Sequence, residues 1–525
     1  MGRTAGALSV AAWGGTNPAF GKSSAGAPGR PNIVIILADD MGFSDIGCYG
    51  SEIATPNLDG LAAEGIRFTQ AYSVARCCPS RAALLTGLYP HQAGMGHMVS
   101  TPAKPRPAGP YQGYLNRQCV TIAEVLRTAG YRTYMCGKWH VGEAPEHWPR
   151  RRGFDRYFGL ISGGSSYFEI LPEERNTRTM VLDDERRMPE GDRFYMTDAF
   201  TDYAVRFLEE HGSRDEPFLL YLAYTAPHWP LHAWPEDIEK YKDRYLGGWD
   251  RLREERYRRL IELGIINPKW PLSPRDSEVP AWEGVADKAH WARLMAVYAA
   301  MIDCMDQNIG RVLQTLRKIG ADENTLVLFL SDNGGCNESV EARKLNKPGT
   351  LPGERGSFVA YERPWGNASN TPFRFFKHWV HEGGIATPFI ARWPARITQR
   401  GVLTPQVAHI TDIMATCLEL ADAEYPRTFD GNAITPLVGK SLGPIFDGKT
   451  RKPHARLYWE HEGNRAIREG DWKLVATDRG EWELYDLEAD RTELNNLAEQ
   501  LPKKAARMHR AWLEWAGRWG VNTGE

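Results

Sequence analysis

Short, continuous apolar runs alternate with helical patterns along most of the chain. The strongest run, at residues 31–38, is rich in Ile and Val and is typical of a strand buried on both faces. Similar runs lie at 218–224, 325–330 and 388–393, with a weaker one at 131–136. Helical patterns lie between them at 58–65, 121–129, 197–210 and 291–319. Strands that alternate with helices predict an α/β fold with a large, mostly parallel sheet flanked by helices.

The pattern changes in two later parts of the chain. Residues 229–291 are charged, rich in Trp and poorly periodic, apart from a helical pattern at 251–263. Beyond residue 450, short strand patterns at 455–460, 465–468, 472–476 and 482–486 precede a helical pattern at 503–519. We therefore predict a main unit over 31–450 and a subdomain over 451–525, formed by a small antiparallel sheet and a helix.

Composition and charge exclude several classes of protein. With 64 Lys and Arg against 66 Asp and Glu, the net charge of -2 argues against a dedicated nucleic-acid binder. Eight Cys without a C-x-x-C pair exclude a disulfide-dense scaffold and a zinc finger. No apolar run approaches the roughly 18 residues of a membrane span. Residues 1–30 fit a disordered leader or the remnant of a secretory signal, so a periplasmic or secreted location is slightly favoured over a cytoplasmic one.

Polar side chains capable of chemistry follow four of the predicted strands and precede a fifth. Ligands of open α/β sheets bind beyond the carboxyl ends of the strands, so we expect these side chains to meet in an active site. They are Asp39, Asp40, Lys138, His140, His228, Asp332, Asn333 and Lys377.

Two of these pairs suggest a metal site. Asp39-Asp40 alone fits a helix N-cap or a turn, and Asp332-Asn333 alone fits a turn. Together they offer three carboxylates and an amide, an all-oxygen set that Ca²⁺ or Mg²⁺ prefers.

The segment Cys77-Cys78-Pro79-Ser80-Arg81 is the sharpest local feature. Pro79 suits the first turn of a helix, which puts Cys77 at a helix N-terminus, where backbone N–H groups attract anions. Arg81 adds a forked positive charge. The alternative interpretation is a buried structural Cys pair.

The run from Cys77 to Gly87 resembles the C-x-P-S-R-x-x-x-L-T-G signature of the formylglycine-dependent sulfatases. Further blocks of that family match in the same order, and the resemblance covers roughly residues 31–500. The blocks are Gly130-Tyr131-Arg132-Thr133, Gly137-Lys138-Trp139-His140, Ala226-Pro227-His228, Asp332-Asn333-Gly334, and Lys377 followed by Glu382-Gly383-Gly384. The resemblance, closest to bacterial arylsulfatases, implies an alkaline phosphatase-like fold and hydrolysis of sulfate monoesters.

The resemblance also implies the role of each site residue. Cys77 would be oxidised to formylglycine by a maturation enzyme and would bind one Ca²⁺, or Mg²⁺, with Asp39, Asp40, Asp332 and Asn333. Arg81, Lys138, His140, His228 and Lys377 would surround the sulfate. Of these, His228 would protonate the leaving oxygen, aided by Lys377, and His140 would deprotonate the second hydroxyl of the formylglycine hydrate.

The substrate is less constrained than the reaction. An aryl sulfate is the first choice because residues 229–291 resemble the corresponding segment of bacterial arylsulfatases, and their Trp residues either pack internally or form an aromatic wall. A sulfated carbohydrate is the close alternative. Residues 162–166 fit a linker better than a rim loop. The rival activities are a phosphonate monoester or phosphodiester hydrolase of the same superfamily, and a glycan-binding protein without turnover if Cys77 is not converted.

Overall fold

The computed structural model describes residues 29–101, 103–191 and 193–523. The predicted leader therefore lies almost entirely outside the described residues. The strands, β1 to β18 in chain order, are Asn32–Ala38, Ile66–Phe68, Ala71–Tyr72, Arg132–Gly137, Arg156–Leu160, Met180–Leu182, Glu185–Arg186, Phe218–Ala223, Thr325–Ser331, Phe389–Arg392, Val402–Thr404, Ala408–His409, Thr428–Phe429, Asn432–Ala433, Leu457–His461, Asn464–Glu469, Trp472–Ala476 and Glu483–Asp486.

The α-helices frame these strands. In chain order, α1 to α12 are Pro56–Glu64, Cys77–Thr86, Ile122–Thr128, Met196–His211, Pro235–Glu239, Gly248–Glu262, Lys288–Lys318, Glu362–Ser369, Glu382–Ile385, Asp412–Ala421, Gly443–Phe446 and Pro502–Trp519. Among the residues that the structure describes, no helix is long and apolar enough to cross a membrane.

A ten-stranded sheet organises the molecule, in the order β11-β2-β10-β9-β1-β8-β4-β5-β6-β7. Its centre is parallel, because β1 pairs in parallel with β8 and β9, and β4 pairs in parallel with β8 and β5. The strand predicted at 388–393 is present as β10, which runs antiparallel to β9. The predicted α/β class with a mostly parallel sheet is confirmed.

The two faces of the sheet bury two separate hydrophobic cores. Alternate residues of β1 divide between them, with Val34 and Ile36 in one core and Ile33, Ile35 and Leu37 in the other. The first core packs against α4 and α7, and the second against α2, α3 and α10. Burial on both faces explains why β1 is apolar throughout rather than alternating.

The C-terminal part forms the predicted small sheet. Strands β15 to β18 pair antiparallel in sequential order, and α12 packs against them through Met508, Trp512 and Trp515.

The Trp-rich segment forms part of the first core. Trp249 contacts Trp282, Trp291 and Trp365 edge-on, at ring-centroid distances of 4.7, 5.6 and 5.4 Å. For Trp249, Trp282 and Trp291 the packing interpretation is therefore confirmed. The helical pattern at 251–263 is present as α6.

Candidate active site

The acidic residues of the site come together because β1 and β9 are adjacent and parallel. Their register pairs Ala38 with Ser331, so Asp39 and Asp332 leave the sheet side by side. The backbone N–H of Asp40 donates to Asp332 Oδ1 at 3.1 Å, and Asn333 Nδ2 donates to Asp40 Oδ1 at 2.8 Å. Asp40 has a φ of +65°, a left-handed conformation that Asp tolerates better than most residues.

Two oxygens of this group are left without partners. Asp39 Oδ1 and Asn333 Oδ1 are buried and have no hydrogen-bond partner within the described part of the chain. Burial, reinforced by Asp332, raises the pKa of Asp39 well above its usual value although Lys138 opposes the shift. A buried carboxylate oxygen and a buried amide oxygen that lack donors fit a hard divalent cation, so this donor set suits Ca²⁺ or Mg²⁺.

Helix α2 carries Cys77 and Arg81 into the same site. Pro79 lies in its first turn as predicted, and Ser80 ties the helix start to the preceding loop. Ser80 Oγ accepts from the Val74 N–H at 3.0 Å and donates to the Val74 carbonyl oxygen at 2.9 Å. Gly87 ends the helix with a φ of +68°. The S-R and T-G positions of the motif thus fix where the helix begins and ends.

Three buried cations pair with the three carboxylates. Lys138 Nζ lies 2.6 Å from Asp39 Oδ2, Lys377 Nζ lies 2.7 Å from Asp40 Oδ2, and Arg81 Nη2 lies 2.8 Å from Asp332 Oδ2. Arg81 also donates to the Lys138 carbonyl oxygen at 2.9 Å. Burial lowers the pKa of Lys377, but Asp40 more than offsets it and holds that pKa well above its usual value. The site therefore keeps fixed positive charges for an anionic group.

Cys77 and His140 face each other across the site. Cys77 Sγ lies 3.4 Å from His140 Nδ1. A hydrogen bond from Cys78 lowers the pKa of Cys77 well below its usual value against the effect of burial, with help from Lys138 and His140. Burial lowers the pKa of His140 to about 4, so its imidazole is neutral at pH 7.

His228 lies on the other side of the acidic group. Its Nδ1 donates to the Trp229 carbonyl oxygen at 2.5 Å, and because a carbonyl can only accept, Nδ1 carries the hydrogen. Its Nε2 lies 3.5 Å from both Lys377 Nζ and Asp40 Oδ2. Burial and Lys377 lower the pKa of His228 well below its usual value.

The structure brings the predicted site residues together: eight form one contact network around the carboxylates, and Cys77, on the helix that also carries Arg81, pairs with His140. Each of them contacts at least one other member, and all are buried. The residues are Asp39, Asp40, Cys77, Arg81, Lys138, His140, His228, Asp332, Asn333 and Lys377.

Sequence reasoning missed a second group at the edge of the site. Glu338 accepts from Trp229 Nε1 at 2.8 Å, pairs with Arg76 at 2.9 Å, and lies 3.4 Å from Lys377 Nζ. Lys377 and Arg76 lower the pKa of Glu338 strongly although burial opposes them. Two signals were present in the sequence, since Arg76 directly precedes Cys77 and Glu338 follows Asp332-Asn333-Gly334 closely.

The linker interpretation of residues 162–166 is wrong. A Cβ added to Gly163 would lie 2.7 Å from the His140 ring, and one added to Gly164 would lie 3.2 Å from the His228 ring. Ser165 and Ser166 are buried. This segment is therefore a rim loop against both imidazoles, and its glycines allow the close approach.

Comparison with known proteins agrees with this geometry. The sulfatase family model matches residues 31–423, and a model for the C-terminal region of N-sulphoglucosamine sulphohydrolase matches residues 372–512. An arylsulfatase of Klebsiella aerogenes is 35% identical over 442 residues, which cover 82% of this chain and 94% of that protein. The N-acetylgalactosamine-6-sulfatase of Mus musculus is 31% identical, covering 82% of this chain and 70% of that one.

Solved structures show the same fold. The structure of Ps i-CgsB in complex with k-i-k-neocarrahexaose superposes with a TM-score of 0.69 at 27% identity and covers 94% of each chain. The putative sulfatase yidJ of Bacteroides fragilis shares the fold, with a TM-score of 0.66 at 22% identity and coverage of 96% of this chain and 99% of that one. The chain therefore belongs to the sulfatase family, has its alkaline phosphatase-like fold, and is a sulfuric ester hydrolase.

Proposed function

We propose that this sulfatase uses formylglycine, formed from Cys77 by a maturation enzyme, together with one divalent cation. The observation that supports this most is the position of Cys77 Sγ, 3.4 Å from a neutral His140 and at the start of α2. The same helix carries Arg81 into contact with Asp332, one of the acidic residues.

The cation would be held by Asp39, Asp40, Asp332, Asn333 and residue 77. Bound there, Ca²⁺ or Mg²⁺ would act as a Lewis acid toward the sulfate and the nucleophile. The unpartnered Asp39 Oδ1 and Asn333 Oδ1 support this assignment, because a cation would satisfy both oxygens. Lys138, Lys377 and Arg81 pair with the carboxylates that the cation would bind. With the cation neutralising those carboxylates, the three side chains would also be able to interact with the sulfate.

His140 is proposed as the base at residue 77. The hydrate of formylglycine supplies one hydroxyl that attacks sulfur and a second whose deprotonation releases inorganic sulfate. His140 is neutral at pH 7, since its pKa is about 4, and its Nδ1 faces residue 77. It can therefore accept a proton there.

His228 and Lys377 are proposed to stabilise the leaving group. The Nδ1 proton of His228 is committed to the Trp229 carbonyl oxygen, so only Nε2 faces the site. Lys377 is protonated and lies 3.5 Å from that nitrogen. A proton for the departing oxygen can thus come from Lys377 directly or through His228 Nε2.

An aryl sulfate remains our first choice of substrate. Trp229, from the Trp-rich segment, lies beside the site with its ring 4.6 Å from that of His228, and it would supply an aromatic surface for an aryl group next to Arg343. The relationship to an arylsulfatase over most of the chain supports the same class.

A sulfated carbohydrate is the second candidate. Arg343 lies over the Trp229 ring at 4.4 Å, so the site edge combines an aromatic face, a cation and the Glu338 carboxylate. Sugar rings stack on aromatic faces and their hydroxyls bind charged groups, which this combination suits. A sulfatase acting on N-acetylgalactosamine sulfate is among the relatives.

Turnover measurements on the purified, matured chain test the proposal. We expect hydrolysis of nitrophenyl sulfate with kcat reduced at least about 10³-fold in Cys77→Ala, because the nucleophile is lost. Phenyl phosphonate, nitrophenyl phosphodiester and sulfated sugars are compared under the same conditions. A higher kcat/KM for a phosphonate or phosphodiester than for every sulfate would contradict the proposal. A preference for a sulfated sugar would favour the second candidate.

A further inference from the structure

A second group of potential metal ligands lies where the loop after Lys377 meets the turn between β15 and β16. We name His378, His461 and Glu462 the histidine cluster. His378 directly follows Lys377, His461 ends β15, and Glu462 lies in the turn before β16. Each residue offers one ligand atom, and these atoms all lie within 4.8 Å of one another.

His461 carries the argument, because it is fully buried yet unpaired. Neither its Nδ1 nor its Nε2 has a hydrogen-bond partner among the described residues. Its Nε2 lies 3.8 Å from Glu462 Oε1, which is too far for a hydrogen bond. Burial lowers the pKa of His461 to about 3, so the ring is neutral at pH 7. A buried neutral imidazole without a partner requires some group to satisfy it.

The spacing of the ligand atoms suits a tetrahedral ion. Bonds of about 2.0–2.1 Å at a tetrahedral centre place two ligand atoms roughly 3.3–3.4 Å apart. In the histidine cluster, His378 Nδ1 lies 3.0 Å from Glu462 Oε2, and His461 Nε2 lies 3.8 Å from Glu462 Oε1. Both distances lie near the tetrahedral value, but they are to different oxygens of Glu462, so one ion would replace the His378–Glu462 hydrogen bond and bind the carboxylate through one or both oxygens.

His97 orients the carboxylate from outside the cluster. Its Nδ1 accepts from the Met98 N–H at 2.6 Å, so the ring hydrogen is on Nε2. That Nε2 lies 3.1 Å from Glu462 Oε1 and donates to it. A group that holds a ligand in place in this way is common around protein metal sites. Arg76, which acts on His461 electrostatically, is paired with Glu338 at 2.9 Å.

Access to the cluster is open from one side. His378 and Glu462 are partly exposed, whereas His461 is not, so an ion can enter past the first two and reach the third. His378 also has a φ of +89°, which is unusual for a residue with a side chain and is kept only where the surroundings require it.

We propose that His378, His461 and Glu462 bind a zinc-type divalent transition metal, separate from the oxygen-lined cation site. Two imidazoles and one carboxylate form a donor set that Zn²⁺ accepts and that Ca²⁺ does not prefer. Three protein ligands leave a fourth position for water or for an oxygen of a bound substrate. The ion would join the β15–β16 turn to the loop that carries Lys377, independently of the sulfatase mechanism proposed above.

Calorimetric titration with Zn²⁺ tests this site in the full chain. The titration is done in excess Ca²⁺ and on the Cys77→Ala protein, because Cys77, Cys78 and His140 also lie close enough to share an ion. We expect one equivalent of Zn²⁺ to bind. His378→Gln and Glu462→Gln should each weaken binding at least tenfold, and His290→Gln, at an exposed position on α7, should leave it unchanged.

A second measurement keeps the test decisive. Zn²⁺ should raise the unfolding temperature of the parent and of His290→Gln but not that of Glu462→Gln, whose substitution lies in a partly exposed turn. If His378→Gln does not fold, Glu462→Gln decides the outcome. The proposal is overturned if the parent takes up no Zn²⁺, or if the parent and both cluster variants bind it equally.

Discussion

Some charged side chains in the site combine two interactions or two proposed roles. The second oxygen of Asp39 is paired with Lys138 while the first is left unpaired, and Lys377 contacts both Asp40 and the edge residue Glu338. Because all these groups except Glu338 are fully buried, removing one charge leaves its partner uncompensated in a low-dielectric site. A substitution here therefore perturbs more than one group, and its role is best assigned by measuring individual steps of the reaction.

Lys377→Ala should affect poor leaving groups most. Without the ammonium group, negative charge on the departing oxygen is not neutralised, and this charge is larger for alcohols and weakly acidic phenols. We expect kcat/KM to fall about 10²–10⁴-fold for such esters and much less for nitrophenyl sulfate.

Rates across a series of substituted phenyl sulfates measure this dependence. Lys318→Ala, at an exposed position on α7, is the matched control and should behave as the parent. An equal loss for good and poor leaving groups in Lys377→Ala would argue against a role at the leaving oxygen.

At the residue scale, local motifs made most of the site predictable. Asp39, Asp332 and Lys138 directly follow strands, so their place in the site depended only on finding the strands. The loop at 162–166 was missed because nothing local reveals it, and Glu338 was missed because its place shortly after Asp332-Asn333-Gly334 does not by itself indicate a contact with Lys377. Their proximity to Lys377 and His140 depends on how distant loops fold over the sheet edge.

At the element scale, the short helix α9 joins the two sheets. Its first residue, Glu382, is fully buried and accepts from Lys473 Nζ at 3.0 Å, Arg491 Nε at 2.9 Å and Tyr72 OH at 2.9 Å. A Cβ on Gly383 would overlap the Arg374 carbonyl oxygen. The Glu-Gly-Gly block therefore has a structural role, since it brings a carboxylate to cations of the C-terminal subdomain.

Glu382 should make stability depend on acidic pH. Although burial opposes them, Lys473, Arg491 and Arg468 lower its pKa to about 2 from 4.5. A lowered pKa in the folded state contributes stability above pH 4.5 and loses it as the pH falls toward 2. We expect Glu382→Gln to lose about 3 kcal/mol at pH 7.

Urea unfolding at pH values between 7 and 3 measures this contribution. The difference between Glu382→Gln and the parent should shrink toward pH 3, and Glu499→Gln, at an exposed position, should match the parent throughout. A difference that stays constant with pH would contradict the assigned charge pairing.

Elements were predictable where periodicity alone determines them. Strands β1, β4, β8 and β9 and the long helix α7 lie close to their predicted positions, because burial on both faces or on one broad face leaves a clear pattern. The parallel strand β5 was not predicted. The helix α10 was not predicted, although Ile413, Met414 and Cys417 are buried. Its apolar residues are nearly continuous, and such a run does not distinguish helix from strand.

At the scale of the whole molecule, the C-terminal sheet contacts the segment that leads to the proposed nucleophile. Trp459 Nε1 donates to the Ser73 carbonyl oxygen at 2.9 Å, four residues before Cys77. The subdomain predicted over 451–525 therefore contributes to the surroundings of the site, which its short strands did not suggest. Whether it also folds as a unit remains a prediction.

Removal of the cation should affect both activity and stability. Without the ion, Asp39 Oδ1 and Asn333 Oδ1 lose the cation that they are proposed to bind. We therefore expect a chelator to abolish turnover and to lower the unfolding temperature. Excess Ca²⁺ should restore both. Cys77→Ala retains the two pairs Asp39-Asp40 and Asp332-Asn333, so Ca²⁺ should still stabilise it against heat. Full activity of a protein shown to be free of metal would contradict the proposed site.

The state of residue 77 tests the central claim most directly. The measurement is mass spectrometry of the peptide that holds residue 77, together with turnover of the same sample, after production with and without a maturation enzyme. We predict the aldehyde mass at residue 77 in the matured sample, an unchanged Cys78, and a kcat proportional to the converted fraction. An unmodified thiol at residue 77 in a sample with full sulfatase activity would contradict the account.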